Sequence, residues 1–124
     1  MRGATLFSGG GGVEAGLLDT VTFCHAVEYD ASIAAIYAQN IGAHVQVRKV
    51  EDVDYSTWGA LDYLHGSPVC KEYSPAKASG RESESDLTSA AAVVRCLEAT
   101  QPRVFTLENV GAYQHGQAFR LIVQ

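Results

Sequence analysis

The sequence feature that most constrains the fold is a run of four glycines, Gly9 to Gly12, between two apolar segments. The residues before it, Ala4 to Phe7, form a short apolar run that is typical of a buried strand. From Val13 onward, apolar side chains recur at helical spacing. A strand, a glycine turn and a helix in this order predict a site where the backbone approaches a ligand closely and helix N–H groups are free to donate.

The alternation of strand and helix continues along the chain, with further apolar runs and further helical spacing. The strands are expected at Val21 to Val27, His44 to Val47, Ala60 to His65 and Arg103 to Leu107, and the helices after Asp30, over Leu87 to Thr100 and from Gln117 to Val123. This order favours an α/β fold whose mostly parallel sheet of about five strands carries helices on both faces. With 124 residues, 47% of them hydrophobic, the chain fits one such domain.

Chemically distinctive residues follow the predicted strands directly. They are the glycine run, Glu28, Asp52, the segment from Pro68 to Ser74, and the pair Glu108 and Asn109. Ligands of open parallel sheets bind at the carboxyl ends of the strands, so these residues are expected to converge on one edge. Gly10, Gly12 and Ala15 also satisfy a dinucleotide-binding pattern, and Glu28 stands where such folds place the carboxylate that accepts ribose hydroxyls.

Several of these residues have two interpretations. The glycines either approach an adenosine-type cofactor or only make a tight turn. Tyr29 either stacks on an adenine ring or belongs to the edge of the core. Asp52 either accepts a hydrogen bond from the adenine amino group or lies in a solvated acidic turn.

The three cysteines, Cys24, Cys70 and Cys96, are an odd number without CxxC spacing. This argues against a disulfide framework and against a structural zinc site, and no metal site is predicted. Cys24 within an apolar strand and Cys96 within a helical pattern fit inert hydrophobic side chains. Cys70 differs because it follows Pro68 at a strand end, where a thiolate supported by Lys71 is a candidate nucleophile.

The charge balance is acidic, with 14 acidic and 9 basic side chains and a net charge of −5. Phosphate contacts require a surplus of lysine and arginine, so the composition argues against a self-sufficient nucleic-acid binder. No apolar run approaches the roughly 20 residues of a membrane span, and the N-terminus lacks the pattern of a signal peptide. We therefore expect a cytoplasmic protein without membrane contact, associated with the nucleoid if it is bacterial.

Four motifs in this order resemble those of the cytosine-5 DNA methyltransferase family. They are Leu6-Phe7-Ser8-Gly9-Gly10-Gly11-Gly12, Glu28-Tyr29-Asp30, Pro68-Val69-Cys70-Lys71-Glu72-Tyr73-Ser74 and Glu108-Asn109-Val110. Dehydrogenases do not share the combination of the Pro-x-Cys turn with the Glu-Asn-Val strand end. The resemblance covers nearly all 124 residues, and it implies a Rossmann-like fold that binds S-adenosylmethionine.

The resemblance implies which residues hold this cofactor. Phe7 and the glycines would approach its amino-acid part, and Glu28 would bind the ribose. Tyr29 would stack near the adenine, and Asp52 would contact the adenine edge. The complete implied set is Phe7, Gly9, Gly10, Gly12, Glu28, Tyr29, Asp52, Val53 and Pro68.

The resemblance also implies how cytosine, whose carbon 5 is a poor nucleophile, is activated. The thiolate of Cys70 would add to carbon 6, which makes carbon 5 nucleophilic toward the methyl group of the cofactor. Glu108, in a pocket shielded from water, would offset the negative charge at ring nitrogen 3. Asn109 would brace the turn that runs from Pro68 to Cys70.

A polar segment follows the candidate nucleophile and has almost no apolar residues up to Asp86. The resemblance implies that its part from Pro75 to Asp86 closes over a cytosine flipped out of the DNA duplex. Ser74, Lys77 and Arg81 are the candidate substrate contacts, with the two basic side chains available for phosphates. An unstructured polar connector is the alternative interpretation.

Three positions depart from the family pattern, which usually has an acidic residue at Thr5, a second proline at Val69 and glutamine at Lys71. Thr5 is expected to remove one acidic contact near the cofactor. Residues 1–124 hold no counterpart of the family's later arginine motif, target-recognition region or C-terminal motifs. We therefore expect them to be the N-terminal, cofactor-binding and nucleophile-bearing part of a catalytic domain. A second subunit or missing C-terminal portion would complete it, and its incomplete sheet would expose an edge that favours self-association.

The main hypothesis is therefore a DNA (cytosine-5-)-methyltransferase, and three alternatives stay open. The first is a non-catalytic S-adenosylmethionine-binding remnant. The second is a tRNA cytosine-5 methyltransferase, since these motifs do not separate DNA from RNA. The third is an NAD-dependent dehydrogenase that uses the Gly10 to Ala15 pattern as a dinucleotide turn.

Overall fold

A computed structural model describes residues 1–68 and 83–124. Its strands form a five-stranded sheet in the order β3-β2-β1-β4-β5, and every neighbouring pair is parallel. The strands are β1 (Arg2–Leu6), β2 (Thr22–Glu28), β3 (Val45–Val47), β4 (Tyr63–Gly66) and β5 (Val104–Leu107). The helices are α1 (Gly12–Leu17), α2 (Ala31–Asn40), α3 (Glu84–Thr100) and α4 (Gln117–Val123), with 3₁₀ turns at Val50–Asp52, Tyr55–Thr57 and Gly111–His115. The predicted α/β fold with a parallel sheet is confirmed.

The central strand β1 is buried on both faces. Ala4 and Leu6 lie in the main apolar cluster, which also contains Val93 of α3. Thr5 lies between them and points to the opposite face, where its hydroxyl hydrogen-bonds Glu14 of α1. Helices therefore cover both faces of the sheet, as in a doubly wound fold.

The strand ends are aligned across the sheet. Leu6, the last residue of β1, pairs with Val27 of β2 and with Gly66 of β4. Gly66 in turn pairs with Leu107, the last residue of β5. Because the strands are parallel, Phe7, Ser67 and Glu108, which follow these ends, leave the sheet side by side. Glu28, the last residue of β2, lies at the same edge.

Side-chain caps set where two helices begin. Asp30 accepts hydrogen bonds from two N–H groups in the first turn of α2. Helix α3 begins at Glu84, earlier than the expected Leu87, because Ser83 and Asp86 form a reciprocal capping box. Residues 84–86 were predicted to belong to the loop, and they belong to α3 instead.

Strand β4 is shorter at its start than predicted. It begins at Tyr63 rather than at Ala60. The carbonyl group of Ala60 accepts a hydrogen bond of 2.6 Å from the Arg2 guanidinium, and the Asp62 carboxylate accepts one of 2.8 Å from the Arg2 N–H group. The backbone still pairs at Asp62, whose N–H group donates to the carbonyl group of Arg2 at 2.9 Å and whose carbonyl group accepts from the N–H group of Val104 at 3.0 Å. The Arg2 side chain therefore adds contacts at the start of this strand.

Strand β5 forms one edge of the described sheet, where it pairs with β4. Val104 is 49% exposed, and Thr106 is exposed as well. The free backbone groups of an edge strand are a template for pairing with another strand. The exposed edge that the sequence predicts is therefore present in the described residues.

Candidate functional site

The glycine turn after β1 has a backbone that few residues adopt. Phe7, Gly9 and Gly11 have φ angles of 59°, 58° and 89°. A Cβ atom on Gly11 would lie 2.4 Å from Cγ1 of Ile41, so this position requires glycine. A Cβ atom added at Gly9 or Gly12 would have no described atom within 4 Å, apart from the neighbouring residues in the sequence and, for Gly12, the backbone of its own helix. The turn therefore leaves open space into which a ligand fits.

The carboxylate of Glu28 connects the end of β2 to this turn. Its Oε1 accepts a hydrogen bond of 3.0 Å from the N–H group of Gly9, and its Oε2 accepts one of 2.8 Å from the N–H group of Asp30. Each carboxylate oxygen has two acceptor sites. Glu28 can therefore accept further hydrogen bonds from a ligand with neighbouring hydroxyl groups.

A cleft of about 370 Å³ opens at Glu28 and is called the Glu28 cleft below. It is lined by Phe7, Val27, Glu28, Tyr29, Asp30, Arg48, Lys49, Val50, Glu51, Ser85, Asp86 and Ser89. The Tyr29 side chain is 66% exposed, and Nζ of Lys49 lies 5.4 Å from its ring centroid. The cleft combines aromatic walls with hydrogen-bonding groups and has the size of a small-molecule site.

The structure does not bring Asp52 and Val53 to the Glu28 cleft. The 3₁₀ turn Val50–Asp52 redirects the chain after β3, so Val53 packs in the main apolar cluster and is 8% exposed. Asp52 is exposed and lies outside the cleft lining. Lys49 and Val50 line the cleft instead. Glu51, the first residue of the acidic patch that follows β3, also lines the cleft, so only the later part of that patch is turned away from it.

A second cleft, of about 440 Å³, shares Phe7 with the first and is called the glycine cleft below. It is lined by Thr5, Phe7, Ser8, Gly9, Gly10, Gly12, Val13, Glu14, His65, Ser67 and Glu108. It brings the predicted cofactor glycines together with the predicted catalytic carboxyl group of Glu108. No lysine or arginine belongs to this lining within the described residues.

Glu14 is a residue of this site that the sequence analysis missed. It is fully buried, and its Oε1 accepts a hydrogen bond from the hydroxyl group of Thr5, which also lies 2.6 Å from the Ser8 hydroxyl group. The departure at Thr5 therefore does not leave the site without an acidic group, because Glu14 places a carboxylate there from α1. The available sequence signal was an acidic residue between the apolar residues Val13 and Ala15.

Burial and the charge of Glu14 shift the pKa values of groups around the glycine turn. Burial raises the pKa of Tyr37 well above its usual value, and the negative charge of Glu14 adds to this effect. Burial lowers the pKa of His65, although the charges of Glu14 and Glu108 oppose the change. His65 is therefore neutral near pH 7, and its Nδ1 lies 2.9 Å from Oγ1 of Thr106.

Glu108 and Asn109 contact the segment that leads to Cys70. Oγ of Ser67 donates a hydrogen bond of 2.5 Å to Oε2 of Glu108, and Nδ2 of Asn109 donates one of 2.8 Å to the carbonyl group of Pro68. The contact expected between Asn109 and this turn is therefore present. Pro68 is buried and belongs to the described lining of neither cleft. Glu108 is exposed in the described structure, whereas the sequence analysis expected shielding from water.

The candidate nucleophile and substrate contacts lie outside the described residues. Cys70, Ser74, Lys77 and Arg81 all belong to residues 69–82. The described structure therefore gives their flanks, Pro68 at the end of one segment and Ser83 at the start of the next, and their roles stay predictions.

The other two cysteines occupy structural positions. Sγ of Cys24 donates a hydrogen bond of 3.3 Å to the carbonyl group of Gly3. Burial raises the pKa of Cys96 to about 12, so this thiol keeps its proton at neutral pH. Neither environment activates a thiol as a nucleophile.

The sequence model of the C-5 cytosine-specific DNA methylase family matches residues 1–123. The chain belongs to this family. The family uses S-adenosylmethionine as its methyl donor. The Type II methyltransferase M.AluI of Cellulosimicrobium cellulans is 33% identical to this chain over 112 residues, which cover 85% of the chain and 22% of M.AluI.

Solved structures of methyltransferases share the fold of this chain. The match to the Dnmt2 methyltransferase of S. pombe covers 98% of this chain and 39% of the Dnmt2 chain, with a TM-score of 0.77 and 17% sequence identity. The match to the methyltransferase EhMeth of Entamoeba histolytica covers 99% of this chain and 42% of the EhMeth chain, with a TM-score of 0.78 and 19% sequence identity. The chain therefore spans less than half the length of each of these three proteins.

None of the helices in residues 1–68 and 83–124 is long and apolar enough to cross a membrane. The same residues contain no group of three or more His, Cys, Asp or Glu side chains that could hold a metal ion.

Proposed function

We propose that this chain is the cofactor-binding and nucleophile-bearing part of a DNA (cytosine-5-)-methyltransferase, which transfers a methyl group from S-adenosylmethionine to carbon 5 of cytosine. The observation that carries the proposal is the alignment of strand ends, which places the glycine turn, Glu28 and Glu108 side by side in a member of this family. The Type II name of the relative M.AluI supports a restriction–modification setting.

The two clefts fit the parts of S-adenosylmethionine. The free acceptor sites of Glu28 suit the ribose hydroxyl groups, and the rings of Tyr29 and Phe7 offer faces for the adenine. The open space at Gly9 and Gly12 accepts the amino-acid part. Since Phe7 lines both clefts, one ligand can extend through both.

The structure supports additional cofactor contacts. Val50 lines the Glu28 cleft and offers an apolar contact for the adenine. The first turns of α3 also line the Glu28 cleft, where Ser85 and Ser89 add hydroxyl groups. Gly10 lines the glycine cleft. Pro68 lies outside both clefts, and its proposed role is indirect: its carbonyl group accepts the hydrogen bond from Asn109 that holds this segment in place.

The proposed chemistry begins with the thiolate of Cys70, which forms a bond to carbon 6 of cytosine. The electron pair of the carbon 5–carbon 6 double bond then becomes available at carbon 5. When bound, S-adenosylmethionine would supply the methyl group to carbon 5, with its sulfonium carbon–sulfur bond broken and S-adenosylhomocysteine as the leaving group. The Glu108 carboxyl group hydrogen-bonds ring nitrogen 3, and Asn109 holds the turn leading to Cys70. A water molecule takes the proton from carbon 5, the electron pair of that bond restores the double bond, and the carbon 6–sulfur bond breaks to release the thiolate of Cys70.

Further protein is proposed to complete the site. Glu108 is exposed in the described residues and the net charge is −5, which supports a second subunit or C-terminal portion that covers this carboxyl group and supplies a basic DNA-reading surface. The free edge at β5 offers one place for it, or for self-association. Ser74, Lys77 and Arg81 are proposed to contact DNA around a flipped cytosine, in the cytoplasm or on a bacterial nucleoid.

Titration calorimetry with S-adenosylmethionine and with NAD tests the cofactor assignment. The proposal predicts saturable binding of S-adenosylmethionine and no detectable heat with NAD at the same concentrations. Preferential binding of NAD would reject the methyltransferase assignment in favour of a dehydrogenase. A non-catalytic remnant also binds S-adenosylmethionine, so the covalent trapping described in the Discussion separates that alternative.

Gly12→Ala is expected to weaken S-adenosylmethionine binding about tenfold or more without lowering stability. The added methyl group enters open space at the cleft, so it meets the ligand rather than the protein. Alanine also favours the helix by about 0.5–1 kcal/mol relative to glycine. Calorimetric titration measures the affinity, and thermal unfolding measures the stability.

Gly16→Ala is the matched control for this substitution. Gly16 lies in the same helix but does not line the glycine cleft. A Cβ atom added at Gly16 would have no described atom within 4 Å, apart from its two chain neighbours and the backbone of its own helix. Binding should therefore be unchanged in Gly16→Ala. Equal affinities in the two variants would show that the amino-acid part of the ligand does not lie over the turn.

A further inference from the structure

Tyr37 of α2 lies behind the glycine turn and belongs to the described lining of neither cleft. Its side chain has no solvent exposure, and its ring packs against Gly11, where an added Cβ atom would lie 3.2 Å from the ring. The hydroxyl group lies 2.8 Å from Nε2 of His44 and is also hydrogen-bonded with the carboxyl group of Glu14 and the hydroxyl group of Thr5. The proposed reaction uses none of these contacts.

Thr5 connects the Tyr37 hydroxyl group to the turn itself. Oγ1 of Thr5 lies 2.6 Å from Oγ of Ser8 and is also hydrogen-bonded with Glu14. Oγ of Ser8 in turn accepts a hydrogen bond of 3.1 Å from the N–H group of Val27. A path of hydrogen bonds therefore runs from α2 to the residue at which the turn leaves β1.

The turn needs this support at Phe7. The φ angle of Phe7 is 59°, a conformation that is unfavourable for a residue with a Cβ atom and persists only where surrounding contacts hold it. The path from Tyr37 ends at the neighbouring residue, Ser8. Because Phe7 lines both clefts, a change in its backbone would move a wall of each.

We propose that Tyr37 is a positioning residue for S-adenosylmethionine. Its hydroxyl group does not touch the ligand but acts through Thr5 and Glu14, and it holds the turn from Phe7 to Gly12 in the conformation that binds. The inference rests on the proposed function, because it requires that the two clefts bind this ligand. Without the hydroxyl group, the buried oxygens of Thr5 and Glu14 lose a shared partner and rearrange. The affinity then falls with the fraction of molecules whose turn can still bind.

Tyr37→Phe tests the proposal, and Tyr63→Phe is its matched control. Each substitution removes one hydroxyl group from a buried tyrosine. The Tyr63 hydroxyl group also contacts a threonine, at 2.7 Å from Oγ1 of Thr106, but Tyr63 belongs to the described lining of neither cleft. It lies at the start of β4, at the end of the sheet away from the glycine turn. Calorimetric titration measures S-adenosylmethionine binding, and circular dichroism verifies that each variant is folded.

Tyr37→Phe is expected to bind S-adenosylmethionine about tenfold more weakly than the parent protein, and Tyr63→Phe should stay within about twofold of the parent. Amide hydrogen exchange supplies a readout that a merely structural role does not change. The N–H groups of Ser8, Gly9 and Gly11 are hydrogen-bonded within the turn or to β2. They should exchange faster in Tyr37→Phe, while the N–H groups in the middle of α2 and β1 keep their protection.

A double-mutant cycle with Thr5→Val tests the path. Valine has nearly the shape of threonine and lacks the hydroxyl group that connects Tyr37 to Ser8. Tyr37→Phe should cost little further affinity in the Thr5→Val background, because both changes interrupt the same path. Where Tyr37→Phe does not fold, Thr5→Val takes its place. It should weaken binding by itself, whereas Thr5→Ser, which keeps the hydroxyl group, should not.

Three outcomes would overturn the inference while leaving the proposed function intact. The first is a folded Tyr37→Phe, or Thr5→Val in its place, that loses no more affinity than Tyr63→Phe. The second is a loss of affinity in Tyr37→Phe with unchanged exchange at the turn. The third is a Tyr37→Phe effect that stays fully additive in the Thr5→Val background. A parent protein that does not bind S-adenosylmethionine would instead reject the proposed function and this inference with it.

Discussion

Cys70→Ser is expected to reduce covalent trapping of a 5-fluorocytosine DNA duplex by at least about 10³-fold, since the nucleophile of a covalent mechanism is lost. Fluorine on carbon 5 cannot leave as a proton does, so the bond between the enzyme and carbon 6 persists in the parent protein. The chain is assayed together with the remaining part of the protein, and the adduct is measured as a DNA-dependent mass shift on a denaturing gel.

Cys24→Ser is the control for the trapping experiment. The Cys24 thiol hydrogen-bonds the carbonyl group of Gly3, and a serine hydroxyl group can keep that contact. Trapping should therefore survive in Cys24→Ser. An adduct that persists in Cys70→Ser would show that another residue is the nucleophile, and a parent protein without any adduct would favour the non-catalytic remnant.

Glu28→Gln is expected to weaken S-adenosylmethionine binding by about 10- to 100-fold, as hydrogen bonds to a charged group contribute about 1.5–3 kcal/mol each. The carboxylate accepts from the backbone of Gly9 and Asp30 and, in the proposed complex, from the ribose hydroxyl groups. A glutamine amide loses the charge and turns an N–H group toward one of these backbone donors. Calorimetric titration measures the change in affinity.

Asp62→Asn is the matched control for Glu28→Gln. The Asp62 carboxylate also accepts a backbone hydrogen bond, of 2.8 Å from Arg2, but it lies at the opposite end of the sheet. The two variants should lose comparable stability, and Glu28→Gln alone should lose affinity. Equal affinities in the two variants would show that Glu28 does not bind the ligand.

The sequence predicts the fold well because local patterns and topology agree. Apolar runs broken by glycine or acidic residues mark strands whose ends share one edge, and parallel pairing then brings distant positions together. Glu28 and Glu108 lie far apart in the sequence, yet their strands end in register with the glycine turn through Leu6 and Gly66. The contact between Asn109 and Pro68 follows from the same alignment.

The remaining features depend on side-chain direction, which sequence spacing does not give. The turn after β3 places both Val50 and Val53 in the main apolar cluster, and of the two only Val50 also lines the Glu28 cleft. Glu14 resembles a surface residue of a short helix, and it becomes a buried partner of Thr5 only when α1 packs on β1. The start of α3 depends on the capping box of Ser83 and Asp86. Both residues are polar, so their sequence resembles the loop before them.

The position of the transferred methyl group tests the central claim most directly. The chain, together with the remaining part of the protein or the product of an adjacent reading frame, is incubated with S-adenosylmethionine that carries a tritium-labelled methyl group. Duplex DNA and tRNA are supplied separately, and the nucleosides are resolved after digestion. We predict that the label is recovered as 5-methyldeoxycytidine from DNA. Label on the exocyclic nitrogen of cytosine or adenine, label in tRNA alone, or no label in either polymer would contradict the proposed function.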